Sequence, residues 1–173
     1  MLINNLEKII AYNFKNKDLL KEALTHKSTG VKKNYEKLEF LGDRVLGLII
    51  AQKLNILMSH LSVSKIHLKF ESLTNESYLA KIAKKITLNK FILVQNGKDH
   101  ENFRKNDSIL ADSLEAIIGG IFIDGGYSKA QLFIEKFFSI NKKLNPVNSK
   151  SALQEFVLEK GLDLPTYKLL EKQ

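Results

Sequence analysis

The sequence contains no cysteine, so it can form neither a disulfide bond nor a metal site built on thiolates. It also lacks a long apolar run, and its longest apolar stretches, such as residues 45–50, are far too short to cross a bilayer. Residues 1–10 mix Asn, Glu and Lys with apolar side chains, which excludes a signal peptide. These absences predict a soluble, cytoplasmic chain with no membrane partner.

Positive charge exceeds negative charge, with 27 Lys and Arg against 19 Asp and Glu and a net charge of +8. Such an excess favours a polyanionic partner, because each phosphate that a protein neutralises releases condensed counterions. Charge alone does not separate a nucleic-acid-binding protein from an ordinary lysine-rich one. The acidic residues that cluster despite this excess are more informative.

Apolar residues recur at helical spacing through most of the first 140 residues, which predicts an all-α fold. Residues 59–64 and the polar stretch 97–107 are predicted to be loops. No alternating pattern is long enough to predict a sheet in this region. We expect helices to open near Leu6 and Leu19 and to span residues 35–58, 68–84, 108–123 and 128–138.

The pattern changes near residue 145, where Asn145 and Pro146 begin a segment that disfavours a continuing helix. A helix is predicted over residues 151–160, closed by Gly161, and a strand is predicted to begin near residue 164. One helix and one strand cannot bury a core of their own. We therefore expect one domain at residues 1–145, and at residues 146–173 a linker with the first part of a second domain.

Two groups of acidic residues have a spacing that indicates a metal site. Glu36, Glu39 and Asp43 stand at i, i+3 and i+7, so all three lie on one face of the predicted helix. Asp112 and Glu115 are also three residues apart, and no Lys or Arg occurs between residues 108 and 128. Two such helices packed together would bring four or five carboxylates into one place, and Mg²⁺ or Mn²⁺ prefers such oxygen ligands.

An ordinary alternative remains open at this point. Glutamates at helical spacing commonly form a solvated face with lysine partners, and Lys37 could pair with Glu36 in this way. Spacing and composition do not choose between a solvated face and a metal site.

Three motifs resemble the ribonuclease III family over about residues 6–140. Residues 36–46, Glu-Lys-Leu-Glu-Phe-Leu-Gly-Asp-Arg-Val-Leu, resemble its signature E-R-L-E-F-L-G-D-x-V-L, with Lys37 in place of Arg. Residues 108–124 are similar to its second acidic motif, and residues 23–28 to its A-L-T-H-x-S segment. Residues 149–167 are similar to the opening of a double-stranded-RNA-binding domain. The resemblance implies an all-α, dimeric endonuclease domain followed by an incomplete α/β double-stranded-RNA-binding domain.

The resemblance also implies roles for the acidic residues. Glu39, Asp112 and Glu115 match direct ligands of Mg²⁺, for which Mn²⁺ could substitute. Asp43 and Glu115 match the positions treated as catalytic, and Glu36 matches an auxiliary acidic position. The expected activity is hydrolysis of double-stranded RNA to 5′-phosphate and 3′-hydroxyl ends, in the processing of ribosomal, messenger and other structured RNA.

Other positions carry expectations about partners. Phe40 matches a residue that inserts into the second subunit of the family's homodimer, although it could equally be an intrachain core residue. Gly42 is costly inside a helix, and a close approach at the dimer seam would explain it. His26 is expected to be a structural histidine rather than a ligand. Ser151, Gln154 and Glu155 match positions on the helix that contacts the minor groove of duplex RNA.

One departure from the family bears on activity. The family commonly places a further glutamate just before the helix that is predicted near residue 68, whereas residues 59–65 contain no carboxylate. The number of metal ions in the site is therefore left open. A catalytically weak or inactive scaffold that binds duplex RNA is the alternative function, and an unrelated helical interaction domain would leave both acidic motifs to coincidence.

Overall fold

The computed structural model describes residues 2–95 and 100–141, together with positions 157, 161–163 and 165–166. Ser151, Gln154 and Glu155 and the predicted boundary near residue 145 lie outside the described residues. The helices are α1 (Leu2–Ile10), α2 (Lys17–Leu24), α3 (Glu36–Leu57), α4 (Val63–Thr74), α5 (Glu76–Lys85), α6 (His100–Lys105), α7 (Asp107–Gly125) and α8 (Tyr127–Phe137), with short 3₁₀ turns at Lys27–Thr29 and Leu88–Lys90.

The predicted all-α architecture is confirmed for the part of the chain that the structure describes. Its only β pairing is an isolated parallel bridge between Thr25 and Leu93. In this bridge the amide of Leu93 donates to the carbonyl of Leu24, and the amide of His26 donates to the carbonyl of Leu93. The bridge thus fastens the segment after α2 to the segment that precedes α6.

Two predicted segments were wrong. The single helix expected over residues 68–84 is two helices, α4 and α5, which meet at Asn75 in extended backbone. The Asn75 side chain accepts from the amide of Tyr78 and donates to the carbonyl of Glu71, so it caps both helices. The predicted loop over residues 97–107 contains the short helix α6, in which Glu101 and Lys105 form an i, i+4 pair.

Helix α7 is the centre of the fold. It packs against α2, α3, α5, α6 and α8, and the closest pairing is with α3. Most of its side chains are buried, because apolar residues occur on nearly every side of the helix. It begins at the cap residue Asn106, whose side chain accepts from the amides of Ser108 and Ile109, and ends at Gly126, which has a φ of 78°.

Helices α3 and α7 touch through their backbones. A Cβ atom at Gly42 would overlap the carbonyl oxygen of Glu115, and a Cβ atom at Gly119 would overlap the carbonyl oxygen of Leu38. The close approach expected at Gly42 therefore occurs within one chain, not at a dimer seam. Gly47 is different, because its nearest neighbour would be the Phe70 ring at 3.6 Å, which is an ordinary contact.

Side chains hold both ends of the described helical body. The Asp124 carboxylate, near the end of α7, accepts from the Tyr12 hydroxyl at 2.7 Å and from the amides of Lys15 and Asn16 at 2.9 Å. Just after α8, the Tyr78 hydroxyl accepts from the amide of Ser139 at 2.9 Å. Lys69, whose side chain is buried in α4, lies 3.4 Å from the Asn141 side-chain oxygen. None of the described helices is both long enough and apolar enough to span a membrane.

The glycine contact predicts a large difference between two identical substitutions in α3. Gly42→Ala should lower the free energy of unfolding by about 2 kcal/mol or more, because the methyl group must push the two backbones apart. Gly47→Ala, the matched control, should raise it by about 0.5–1 kcal/mol through helix propensity. Urea unfolding of both variants checks this prediction, and equal stabilities would contradict the packing described here.

Candidate metal centre

Three carboxylates meet where the first half of α3 crosses α7. Glu39, Asp112 and Glu115 each offer an oxygen, and these oxygens all lie within 4.8 Å of one another. All three side chains are half-buried. The structure thus brings together the three residues that the sequence motifs marked as metal ligands.

The packing of the two helices positions these side chains. Glu39 lies in the first turn of α3, and Asp112 and Glu115 lie one turn apart in the first half of α7. Gly42 is one turn after Glu39, and its contact with the carbonyl of Glu115 fixes the two helices in register. The first turn of a helix also favours negative charge, which lowers the cost of placing Glu39 there.

Asp43 and Glu36 lie beside this group rather than within it. The Asp43 carboxylate is 2.5 Å from the Arg44 guanidinium, and its charge still acts on Glu115. Glu36 is exposed and lies 3.7 Å from the ammonium group of Lys27. The cation beside Glu36 therefore comes from the 3₁₀ turn after α2, and not from Lys37 as the alternative of a solvated helix face had allowed.

The carboxylates of the cluster hold their protons unusually tightly. Burial, followed by the charges of Asp43, Asp112 and Glu39, raises the pKa of Glu115 to about 8. Burial and the neighbouring charge of Asp112 raise the pKa of Glu39. Burial also raises the pKa of Asp112, against the opposing effect of a hydrogen bond from Tyr35. Without a cation, the cluster therefore favours the protonated, uncharged form of Glu115 at neutral pH.

Two residues near the cluster were missed by the sequence reasoning. Tyr35 is buried, and its hydroxyl donates to the carboxylate of Asp112 at 3.3 Å. Glu76, at the start of α5, is close enough that its charge helps to raise the pKa of Asp112, although burial is the larger cause. Tyr35 stands directly before the first acidic motif, which was a usable signal, but nothing in the local sequence linked Glu76 to α7.

His26 has the structural role that was expected. It is buried, its Nδ1 accepts from the amide of Ser28 at 3.1 Å, and burial lowers its pKa. Its ring lies 5.2 Å from the Tyr35 ring and 6.0 Å from the Phe103 ring.

Ser113, which follows Asp112 in α7, is fully buried, so its hydroxyl is not accessible as a nucleophile.

Phe40 lies on the solvent side of α3, where 66% of its surface is exposed. The interpretation of Phe40 as an intrachain core residue was therefore wrong. The Arg44 guanidinium lies 5.3 Å from the centre of its ring, and Leu48 continues the same exposed stripe one turn further along.

The donor set fits a hard divalent cation. Three carboxylates within reach of one point provide oxygen ligands of the kind that Mg²⁺ and Mn²⁺ bind. The nearest cations, Lys27 and Arg44, lower the pKa values of individual acids but do not reverse their upward shifts. A bound cation would relieve the repulsion that those shifts report.

Comparison with known proteins places this chain in a family. A family model described as Ribonuclease-III-like matches residues 16–142. Ribonuclease 3 of Ehrlichia canis is 38% identical over 99% of this chain and 79% of its own length. Ribonuclease 3 of Pelagibacter ubique is 42% identical over 95% of this chain and 75% of its own length. A solved structure of the nuclease domain of ribonuclease III from Campylobacter jejuni is similar to this chain, with a TM-score of 0.75 and 39% sequence identity. The match covers 80% of this chain and 99% of that domain, which was described for structural flexibility in a region involved in dimer formation.

The raised pKa of Glu115 predicts how stability depends on pH without metal. The folded protein binds this proton more tightly than the unfolded chain, whose glutamate has a pKa near 4.5. Stability from this group is therefore complete below that value and is lost as pH rises through about 8. In EDTA at pH 8, Glu115→Gln should raise the melting temperature by about 2–4 °C, which corresponds to a gain in the free energy of unfolding on the order of 1 kcal/mol. At pH 5 the rise should be smaller.

Glu101→Gln is the matched control, because Glu101 is exposed on α6 and pairs only with Lys105 among the contacts found for its side chain. Its difference from the parent protein should not grow with pH. A Glu115→Gln protein that melts no higher than the parent at pH 8 would contradict the electrostatic account of the cluster.

Proposed function

The chain belongs to the ribonuclease III family and is an endoribonuclease; on that premise we propose that it hydrolyses double-stranded RNA with Mg²⁺ held by Glu39, Asp112 and Glu115. The observation that carries the proposal is the convergence of these three carboxylates within 4.8 Å. A protein that only binds RNA gains nothing from concentrated negative charge facing phosphates, whereas a cation site requires it.

Each acidic residue has a distinct part in this proposal. Glu39, Asp112 and Glu115 bind the cation, and Asp43 and Glu115 are the catalytic pair. Glu39, Asp112 and Glu115 would hold the Mg²⁺, which when bound would supply an activated water and electrostatic stabilisation of the phosphodiester's developing charge. Asp43 lies next to Arg44 and acts electrostatically on Glu115, a position from which it can accept a proton or orient water. The products carry 5′-phosphate and 3′-hydroxyl ends.

Glu36 and Glu76 add negative charge around the centre. Glu36 is the proposed auxiliary acid, although its contact with Lys27 also supports a purely structural role. Glu76 acts on Asp112 from α5 and thus adds a carboxylate that residues 59–65 do not supply. The Glu76 side chain is exposed, so it can contact a hydrated metal ion or act on the centre only through its charge.

A homodimer accounts for both the exposed stripe of α3 and the cleavage of two strands. Phe40 and Leu48 present apolar surface that soluble proteins usually cover. Two sites related by a two-fold axis match two RNA strands of opposite polarity. We assign Phe40 to this interface. The related domain from C. jejuni, which has a region involved in dimer formation, supports a homodimer.

The remaining proposals concern the rest of the chain and its cellular role. The nuclease domain is proposed to cover residues 1–145, followed at 146–173 by a linker and the first part of a double-stranded-RNA-binding domain. Ser151, Gln154 and Glu155 would contact the RNA minor groove there.

The net charge of +8 supports a nucleic-acid substrate. Processing of ribosomal, messenger and other structured RNA in the cytoplasm is the proposed role.

Cleavage of a long RNA duplex at low salt tests the proposed chemistry. With Mg²⁺ the protein should give short duplexes with 5′-phosphate ends, and EDTA should abolish the products. Glu115→Gln should reduce the rate at least about a thousandfold, because it removes a ligand and a catalytic carboxylate together. Glu101→Gln, on the exposed surface of α6, should cleave at the parental rate.

The outcomes separate a nuclease from a scaffold. Intact RNA together with a gel shift for both the parent and Glu115→Gln would favour the catalytically weak or inactive RNA-binding scaffold. Cleavage that persists in EDTA would overturn the metal-dependent mechanism.

Dimerisation is tested by replacing one exposed residue with a charge. Phe40→Glu should convert a dimer to a monomer in analytical ultracentrifugation, because a carboxylate in place of an apolar side chain at the seam must be desolvated, which costs several kcal/mol. Leu132→Glu is the control, since Leu132 is 58% exposed on α8 and lines a cavity with residues of α1 and α8, such as Ile10 and Lys129, and with none of α3. A Phe40→Glu protein that sediments like the parent would show that this surface is not the interface.

A further inference from the structure

Tyr35 is a buried aromatic residue that none of the roles proposed above uses. Only 2% of its surface is exposed, yet its hydroxyl reaches the edge of the carboxylate cluster. It donates to Oδ2 of Asp112 at 3.3 Å, across 77 residues of sequence. The contact therefore joins the start of α3 to the middle of α7 at the cation site itself.

Several interactions outside the cluster fix the position of Tyr35. Its amide donates to the carbonyl of Thr25 at 2.9 Å, and its carbonyl accepts from the amide of Glu39 at 2.8 Å. Its ring packs 5.2 Å from the ring of His26. The amide of His26 donates to the carbonyl of Leu93 at 2.9 Å, so the ring that supports Tyr35 is itself anchored.

These contacts fix the position of the Tyr35 hydroxyl, which donates a hydrogen bond to the Asp112 carboxylate. We propose that Tyr35 is a positioning residue, which holds Asp112 in the orientation that binds the cation. The inference rests on the proposed function, in which Asp112 is a ligand, and it adds a residue whose effect on metal is exerted entirely through another side chain.

Physical chemistry favours a phenol in this position. Glu39 and Glu115 repel the Asp112 carboxylate, so without a donor it would turn away from the cluster. A phenol donates one hydrogen bond at neutral pH and carries no positive charge that would repel or replace a cation. Removing a residue that hydrogen-bonds to a metal ligand and orients it typically changes metal affinity or activity 10–100-fold.

Tyr35→Phe tests the inference because it removes one oxygen atom and keeps the ring that packs on His26. The concentration of Mg²⁺ that gives half-maximal cleavage should rise about tenfold, and Mn²⁺ binding measured by calorimetry on the protein alone should weaken by a similar factor. The maximal rate at saturating Mg²⁺ should change much less. A merely structural role would lower the melting temperature without moving the metal requirement.

Tyr12→Phe is the matched control. The Tyr12 hydroxyl also donates to an aspartate of α7, Asp124, at 2.7 Å, but this contact lies about 18 Å further along the helix axis. Its metal requirement should equal that of the parent, whatever happens to its stability.

Each outcome decides the question. If the parent protein binds Mn²⁺ and cleaves RNA, and Tyr35→Phe has the same metal requirement, the positioning role is overturned. The proposed function then stands. A Tyr35→Phe protein that does not fold would also overturn it, since the hydroxyl would then be a structural group. A parent protein that neither binds Mn²⁺ nor cleaves RNA would refute the proposed function itself.

Discussion

The contact between the backbones of α3 and α7 is the constraint on which the site depends. At Gly42 and Gly119 the two helices approach so closely that neither position has room for a side chain. The carboxylates of Glu39 and Glu115 project from turns adjacent to this crossing, so their separation is set by main-chain atoms. Main-chain contacts cannot relax by changing rotamers, as packed side chains can. The fold therefore delivers the acidic residues to one place with little freedom to separate.

Holding like charges together costs free energy, and the structure shows where that cost is partly offset. The start of α3 favours negative charge through its unpaired amides, and the Lys27 and Arg44 cations lie at the edges of the cluster. Tyr35 adds a hydrogen bond but no charge. These groups leave the pKa of Glu115 at about 8, well above that of an ordinary glutamate. The remaining repulsion is what a divalent cation would remove, so the same geometry that weakens the metal-free protein favours metal binding.

Periodicity was sufficient to predict α3, α7 and α8 to within two residues at most ends, because their apolar residues continue without interruption. It did not predict the break at Asn75, since the apolar pattern runs on across it and only the capping chemistry of one side chain separates the helices. Spacing also grouped Glu39 with Glu36 and Asp43, and Asp112 with Glu115, on one face of each helix, but only the family resemblance selected Glu39, Asp112 and Glu115 as metal ligands. The partner of Glu36 and the proximity of Glu76 to Asp112 could not be predicted, because both depend on how distant segments pack. Burial of Tyr35 likewise follows from the Thr25–Leu93 bridge, a pairing of residues far apart in sequence.

The attachment of residues 139–141 to the helical body has a consequence for whatever the chain carries beyond it. The Tyr78 hydroxyl and Lys69 hold this segment against α4 and α5, so a following tether has a fixed origin on that surface. For a flexible tether the mean span grows only with the square root of its length, roughly 5–6 Å times the square root of the residue number. Doubling or halving the length of such a tether would therefore change the local concentration of an attached module about threefold while leaving its own affinity untouched. Linker length, rather than contact chemistry, would then set how often such a module and the carboxylate cluster engage the same molecule.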